Sequence, residues 1–567
     1  MLRPPLMRSR QMSRNPYQAT LDQPECDKRR VSTPIHTEDP SMLNHRRRRP
    51  AAISLTVAAV VLTAIPTLIF ADSDPVKYPD MEEEWYVVTM QDAKCGYMRS
   101  TSNRVGDVIE TRVTMFFEIA RGDARVSIKS DQLYVESLDG KPKSFSLEMS
   151  MGEIPVLYRG VIKKGKVHLT TEQSGVQRTA EYDFDSEIKF AWGQLLEQRT
   201  RGLTPGTSFT IKTYEPSLRV DGPVQTTLRV HNKEKVDVLG KSKELTRVTS
   251  TVKLGTPPAA AAAGGAASAN MEVTTESWVD DEATPVVAVV DMGMLQVRMY
   301  RSTREEAMTK GAPPEMFLNT FIHVDRKVPR TAVEVTYRLK LPKDSKNRLP
   351  ELPATSMQSF KRISDHEGLL TVKRIDWKAL EDAAATEKPD AKLKPYLQAS
   401  TMLDIDDRRI RRLARRGAAS ATTPAGKAAA LRRFVTDYVS DKNLDIGFAT
   451  ASEVAKNRSG DCTEHGVLLA ALARAAGIPS RGVSGIVQVP DGPLGAEGLN
   501  AFGYHMWTQV YIGGQWVDID AALRQTDCDP THIALALMPL GDEGMLESLM
   551  AIFPLLGQLE MEIVKIK

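Results

Sequence analysis

The chain has 567 residues, with 75 Lys and Arg against 72 Asp and Glu for a formal net charge of +3. That near balance gives no reason to expect a nucleic-acid partner, and the length is too great for one hydrophobic core, so two or three domains are expected. Four widely spaced cysteines, Cys26, Cys95, Cys462 and Cys528, form no CxxC pair or histidine-containing ligand cluster, so no metal site and no cofactor is expected.

Residues 1–50 read as a basic, disordered leader ending in Arg46, Arg47, Arg48 and Arg49. The uncharged run at 51–71 follows, the order of a positive region and an apolar region that marks export. Pro66 and Ile69-Phe70-Ala71 before Asp72 resemble a signal cleavage region, yet the run is also long enough to anchor the chain in a bilayer. In either case the arginines stay inside, and the bulk of the chain is expected on the periplasmic or cell-envelope side, with the membrane as a partner if the segment is uncleaved. The exported part then holds three cysteines. At least one must be a free thiol, and a Cys95–Cys528 bridge is one pairing the count allows.

Residues 76–305 read as an antiparallel β domain. Short alternating segments at 111–119, 126–129, 132–137, 144–149, 156–162 and 166–170 are separated by turns such as Asp139-Gly140 and Lys164-Gly165. Further strands are expected at 208–213, 226–230, 246–252, 272–279 and 295–300. Residues 256–270, nearly all alanine, glycine and proline, are too poor in side chains to pack and read as a flexible insertion. A small β domain or connecting sheet is expected at 320–378, from segments at 332–341, 357–363 and 369–375. A Lys-, Glu- and Ala-rich linker follows at 381–394.

The unit at 395–530 opens with helices, and 531–567 reads as an extension of one helix and one strand. Residues 404–416 carry six arginines over a narrow apolar stripe of Ile405, Ile410 and Leu413, the pattern of a solvated helix face. Thr423 caps a second helix with Pro424 at its first position, and Thr450 with Glu453 forms a capping box for a third. Asp461 and Glu464 have the same spacing, which sets Cys462 in the first turn of a helix, where free N–H groups and the dipole favour a thiolate. An apolar run from Val467 continues that helix until Gly477 and Pro479 end it. Residues 490–500, rich in glycine and proline, are a candidate lid or a plain solvent loop.

Residues 502–512 and 515–521 read as a hairpin around Gly513 and Gly514. A two-residue turn sets Trp507 opposite Asp520 and puts His505, Trp507, Trp516, Asp518 and Asp520 on one face. His505 and Asp520 are then diagonal neighbours, close enough for imidazole and carboxylate to meet. Cys462 as nucleophile, His505 as base and Asp520 as orienter make a cysteine acyl-transfer set. Trp507 and Trp516 are expected as substrate-binding walls, with Asp461, Glu464 and His465 in supporting roles.

The run Gly460-Asp461-Cys462-Thr463-Glu464-His465, the helix tail through Gly477-Ile478-Pro479-Ser480-Arg481, then His505-Met506-Trp507 and Trp516-Val517-Asp518-Ile519-Asp520 resemble the transglutaminase-like superfamily of papain-type enzymes. The departures are Met506, where alanine is usual, and Ala521, where proline or serine is common. The resemblance implies a multidomain chain in which mostly antiparallel β structure precedes an α+β, papain-like catalytic domain. It also implies attack on amide bonds of a protein or peptide substrate, ending in hydrolysis or in cross-linking. No oxygen-ligand loop supports the calcium dependence of some relatives. The long β region keeps a second reading open, a non-catalytic envelope module that holds peptides.

Overall fold

The computed structural model describes residues 82–567 except 122–123, 152–153, 217, 255–270, 282, 293–294, 316–319, 346, 384–390, 443–448, 491–499, 543–551 and 553–554. The leader, the 51–71 segment, the 256–270 insertion and most of the lid candidate lie outside the described residues. Among those described, no helix is long and apolar enough to cross a membrane, and no group of His, Cys, Asp and Glu could hold a metal ion.

The described residues from 82 to 302 are organised around one large sheet. Its outward arm consists of β1 (Glu82–Met90), β2 (Ala93–Val105), β3 (Val108–Arg121), β4 (Ala124–Ser137), β5 (Pro142–Met151), β6 (Ile154–Lys163), β7 (Lys166–Gln173) and β8 (Val176–Asp183). After β9 (Ile188–Lys189) and helix α1 (Ala191–Arg201), the return arm is β10 (Ser208–Thr213), β11 (Val224–Val238), β12 (Lys241–Leu254), β13 (Met271–Val279), β14 (Pro285–Met292) and β15 (Leu295–Ser302). The spatial order runs from β8 through β1, then β15, down to β10 and β9, all antiparallel except the β9–β10 pair. The sequence segments at 126–129 and 132–137 are a single strand, β4, because the residues between them keep pairing with β3. Strand alternation is visible in β7, where Val167 and Leu169 are buried between exposed Lys166 and His168.

The two edge strands are separated by residues 184–187 only, so the sheet must curl until its edges approach. Side chains of both arms meet inside the curl. Ile109 of β3, Val230 of β11, Val248 of β12 and Val279 of β13 pack with Trp192 and Leu195 of α1. No sequence signal announced α1. Its N-cap residue, Phe190, makes no side-chain cap; the carboxyl of Glu136 on β4 accepts from Trp192 N at 2.6 Å and Gly193 N at 2.8 Å instead. The cap is a tertiary contact, invisible to local spacing.

Beyond β15 the chain alternates between two smaller sheets. β16 (Ile322–His323) belongs to a five-stranded sheet, while β17 (Glu334–Lys340), β18 (Gln358–Ser364) and β19 (Glu367–Lys373) build a four-stranded one. Helices α2 (Arg408–Ala418), α3 (Pro424–Tyr438), α4 (Ala451–Asn457) and α5 (Cys462–Ala475) follow. The caps of α3 and α4 are those read from the sequence, where the Thr423 side chain accepts from Gly426 N and Thr450 with Glu453 closes a capping box; α2 starts later than read, with Asp407 as its cap. The five-stranded sheet is completed by β20 (Ser480–Gln488), β21 (Ala501–Ile512), β22 (Gln515–Ile519) and β23 (Ile533–Met538), in the order β16-β21-β20-β23 with β22 also beside β21. β24 (Glu560–Ile566) returns to pair with β17.

Cys95, Cys462 and Cys528 are all free and buried, so the bridge allowed by the cysteine count is not made. Large sheet and small sheets share one core. Val88, Met115 and Met299 of the first join Tyr337, Leu370, Phe502 and Ile563 of the others, and Tyr337 donates from its hydroxyl to Pro530 O at 2.9 Å.

Candidate active site

Cys462 is the first residue of α5, and the loop before it is shaped by Gly460. That glycine has φ +139°, and a Cβ on it would stand 2.3 Å from Glu464 Cγ, so a larger residue would block Glu464 from folding back. Glu464 then accepts from Asp461 N at 3.0 Å and from Ala449 N at 3.2 Å, while Asp461 Oδ1 accepts from Thr463 N at 2.8 Å. This is the expected capping box. Burial, then the neighbouring Asp461, pushes the Glu464 carboxyl well up.

The helix is latched to β21 where Thr508 Oγ1 donates to Gly466 O at 2.9 Å. One edge of β21 pairs with β20 from Phe502 to Val510. On the other edge β16 takes Ala501 and Phe502, and β22 takes Thr508 through Ile512, which leaves 503–507 without a strand partner there. Gly513 and Gly514, with φ of 59° and 77°, make the two-residue turn, so Ile512 and Gln515 form its hydrogen-bonded closing pair. By alternation, residues 510, 508 and 506 direct their N–H groups to this same edge. The Met506 N–H accordingly meets the Cys462 sulfur in the gap. The thiol is thus beside the backbone of the residue that follows His505.

The hairpin has the expected register. Thr508 faces Ile519 and Gln509 faces Asp518, which sets Trp507 level with Asp520. His505 Nε2 donates to Asp520 Oδ2 at 2.7 Å, and Asp520 Oδ1 accepts from Leu523 N at 2.8 Å. Burial alone would raise the Asp520 pKa, but His505 and His532 hold it well below the usual carboxylate range. An acceptor-only carboxylate fixes the proton of a neutral His505 on Nε2 and leaves Nδ1 with a lone pair.

Cys462, His505 and Asp520 are 1%, 5% and 1% exposed. The expectation of an easily formed thiolate is corrected: burial, then the charge of Asp461, pushes the Cys462 thiol well above its ordinary value, and the Met506 N–H opposes this only in part. A helix N-terminus favours an anion, but removal from water disfavours it more.

The other expected residues are placed unequally. His465 is buried, with Nδ1 2.6 Å from Asp461 O, so it braces its own helix start. Trp507 is 1% exposed, stacked on His505 with centroids 6.1 Å apart and enclosed by Val483, Ala534 and Leu537. It supports the imidazole from within the core and offers no open cleft wall. Trp516 stands opposite Tyr511, six positions along β21 from His505, or about 20 Å at strand spacing. Arg481 lies over it at 4.1 Å and Tyr396 packs against it at 4.8 Å, so the structure does not bring it to His505 and Asp520.

One residue was missed. His532 Nε2 lies 3.1 Å from Asp520 Oδ2, which therefore serves two imidazoles. Its only sequence signal is an ionisable residue directly before a fully apolar strand, Ile533–Met538, the position of a buried charge in need of partners.

Residues 411–521 match the family model of the transglutaminase-like superfamily. This segment is transglutaminase-like. No curated protein is similar enough to count as a match for the chain. A solved structure from Cytophaga hutchinsonii, provisionally assigned as a cysteine protease, is 16% identical over 40% of this chain and 83% of its own, with a TM-score of 0.27. A β-barrel-like protein of a domain of unknown function from Brucella abortus is 14% identical over 40% of this chain and 98% of its own, with a TM-score of 0.29. A provisionally assigned protease from Parabacteroides distasonis is 12% identical over 66% and 64%, with a TM-score of 0.17. The transglutaminase-like segment ends at the residue after Asp520, so His532 lies beyond it.

Proposed function

We propose that the transglutaminase-like domain carries out cysteine-dependent acyl transfer on amide bonds of proteins or peptides, on the exported side of the membrane. The observation that supports this best is the His505–Asp520 contact of 2.7 Å beside a cysteine whose sulfur meets the next residue's amide. In the resting protein the thiol keeps its proton. As Cys462 Sγ attacks the carbonyl carbon, the His505 Nδ1 lone pair takes that proton, and Asp520 stabilises the imidazolium that forms.

The developing oxyanion lies at the start of α5, where the Cys462 N–H is the available donor because the Thr463 N–H is committed to Asp461. His505 then returns its proton to the leaving amine as the C–N bond breaks, leaving a thioester. Water attacks the thioester to give a carboxylic acid, or a second amine attacks to give a new amide; in either case His505 takes the nucleophile's proton and the thiol is regenerated. The burial of the sulfur favours the second reading, a domain that holds peptides without turnover.

Alkylation of the purified protein with iodoacetamide separates the two. Cys95 and Cys528 serve as internal buried references. Acyl transfer requires that Cys462 label faster than either, and that His505→Ala slow that labelling by about a hundredfold. Equal labelling of all three thiols, unchanged by His505→Ala, would sink the enzyme reading. A product screen over peptide and glutamine donors, with and without added amine, then distinguishes hydrolysis from cross-linking.

A further inference from the structure

The geometry points to His532 as a buried, doubly protonated positioning residue that shares Asp520 Oδ2 with His505 and competes with it for that carboxylate. The inference rests on the acyl-transfer reading for its purpose, though not for its measurement.

The oxygens on either side of His532 each call for a proton from it, and the Cys528 thiol beside it can serve as a further weak acceptor. Asp520 Oδ2 is an ionised oxygen, so the His532 Nε2 at 3.1 Å must donate. The other ring nitrogen, Nδ1, lies 3.3 Å from Asp529 O and 3.7 Å from Asp529 Oδ1, again acceptors only. Asp529 is itself fixed as a carboxylate by Gln525 Nε2 at 2.9 Å, Thr531 N at 3.0 Å and the Thr531 hydroxyl. A neutral imidazole has one N–H; two acceptors on opposite sides require the imidazolium.

The remaining neighbours leave that charge in place. Burial by itself lowers the His532 pKa, but Cys528 beside it and the carboxylates of Asp520 and Asp529 hold it well up. Cys528 is pushed up to about 12 by burial and is a neutral thiol in the physiological range, so the two carboxylates supply the stabilising charge. Asp518 on β22 also faces the ring, and burial raises its carboxyl above the ordinary value. On α3, Arg432 senses Cys528 and Asp520 and donates to Thr526 Oγ1 at 3.0 Å; on β17, the hydroxyl of Tyr337 is turned to Pro530 O.

The consequence falls on His505, whose ring centroid is 6.3 Å from that of His532. When His505 takes the thiol proton, its new charge meets an aspartate already paired with a cation. Asp520 therefore holds the His505 ring less firmly than an unshared carboxylate would, which suits a ring that must pass its proton on to a leaving amine.

The test uses the full chain with histidine rings labelled in ¹⁵N. His532→Gln keeps an N–H for Asp520 and removes only the charge; Asp529→Asn removes the carboxylate behind the ring and serves if the first variant does not fold. The wild-type His532 should carry both ring protons at about pH 8, well above an ordinary histidine pKa. The His505 Nε2–H proton should move downfield in His532→Gln, where its bond to Asp520 no longer competes with a second cationic donor, and by less in Asp529→Asn. A singly protonated His532 at that pH, or a His505 Nε2–H signal unmoved by both variants, overturns the inference. Failure of Cys462 to label would sink acyl transfer and leave these ring signals fully readable.

Discussion

Two carboxyl groups, one in the large curled sheet and one in the transglutaminase-like domain, are withdrawn from water to the same extent and behave in opposite ways. Glu136 on β4 is 0% exposed, and Asp520 after β22 is 1% exposed. Glu136 is surrounded by the N–H groups of Gly193, Trp192 and Phe190, and burial still pushes it up to about 8. Asp520 is surrounded by two imidazoles and is held far down. Backbone dipoles and the weaker pull of Lys189 do not repay the loss of hydration at Glu136, whereas imidazoles in direct contact do at Asp520. The sheet therefore uses its acid as a hydrogen-bonded plug for α1, and the transglutaminase-like domain uses its acid as a charge.

The largest effect that would break this contrast is expected from Asp520→Asn. Two ring N–H groups and the His532 charge lose their anion, so unfolding free energy should fall by about 3–5 kcal/mol, as for other broken buried pairs, and Cys462 labelling should fall with it. Urea denaturation and iodoacetamide kinetics check both. Glu136 sharpens it through pH. A raised folded pKa means the native state keeps a proton that the unfolded chain releases, so stability should decline as pH rises from about 4.3 to about 8, by on the order of a few kcal/mol. The same series in Glu136→Gln should decline less steeply, keeping only the share due to other buried carboxyls such as Glu464, Glu215 and Asp518, with Cys462 labelling unchanged. Asp520 carries the reverse sign: its contribution is present above about pH 3.9 and is lost only as pH falls further. Smallest is the effect of Trp516→Ala on chemistry. Loss of the Arg481 and Tyr396 contacts should cost about 1–3 kcal/mol in stability, while the labelling rate of Cys462 stays within about twofold of wild type.

The parts legible in the sequence were those fixed by local rules. The capping boxes at Thr450 and Asp461, the proline at the start of α3 and the Gly513-Gly514 turn each act over two to four residues, and each is found as read. The turn carried the hairpin register with it, and the register brought His505 to Asp520. What was not legible depends on partners far along the chain. The cap of α1 comes from Glu136, more than fifty positions away, and the second imidazole on Asp520 arrives from a loop with no periodicity of its own. The thiol was misjudged for the same reason. Its helix position is local, but its burial under β21 is not. Trp516 shared a face with His505, as alternation demands, yet a shared face on a long hairpin does not mean a shared site.

The pairing of β24 with β17 has a bearing on how the molecule is assembled. Arg338 and Glu562 are partners about 220 residues apart in sequence, and the entire transglutaminase-like domain lies in the loop that this pairing closes. During synthesis the β17 edge must wait bare while everything between is made, so this seam is expected to form late. Until it does, the waiting strand is the part of the chain most open to pairing with a neighbour's unfinished edge.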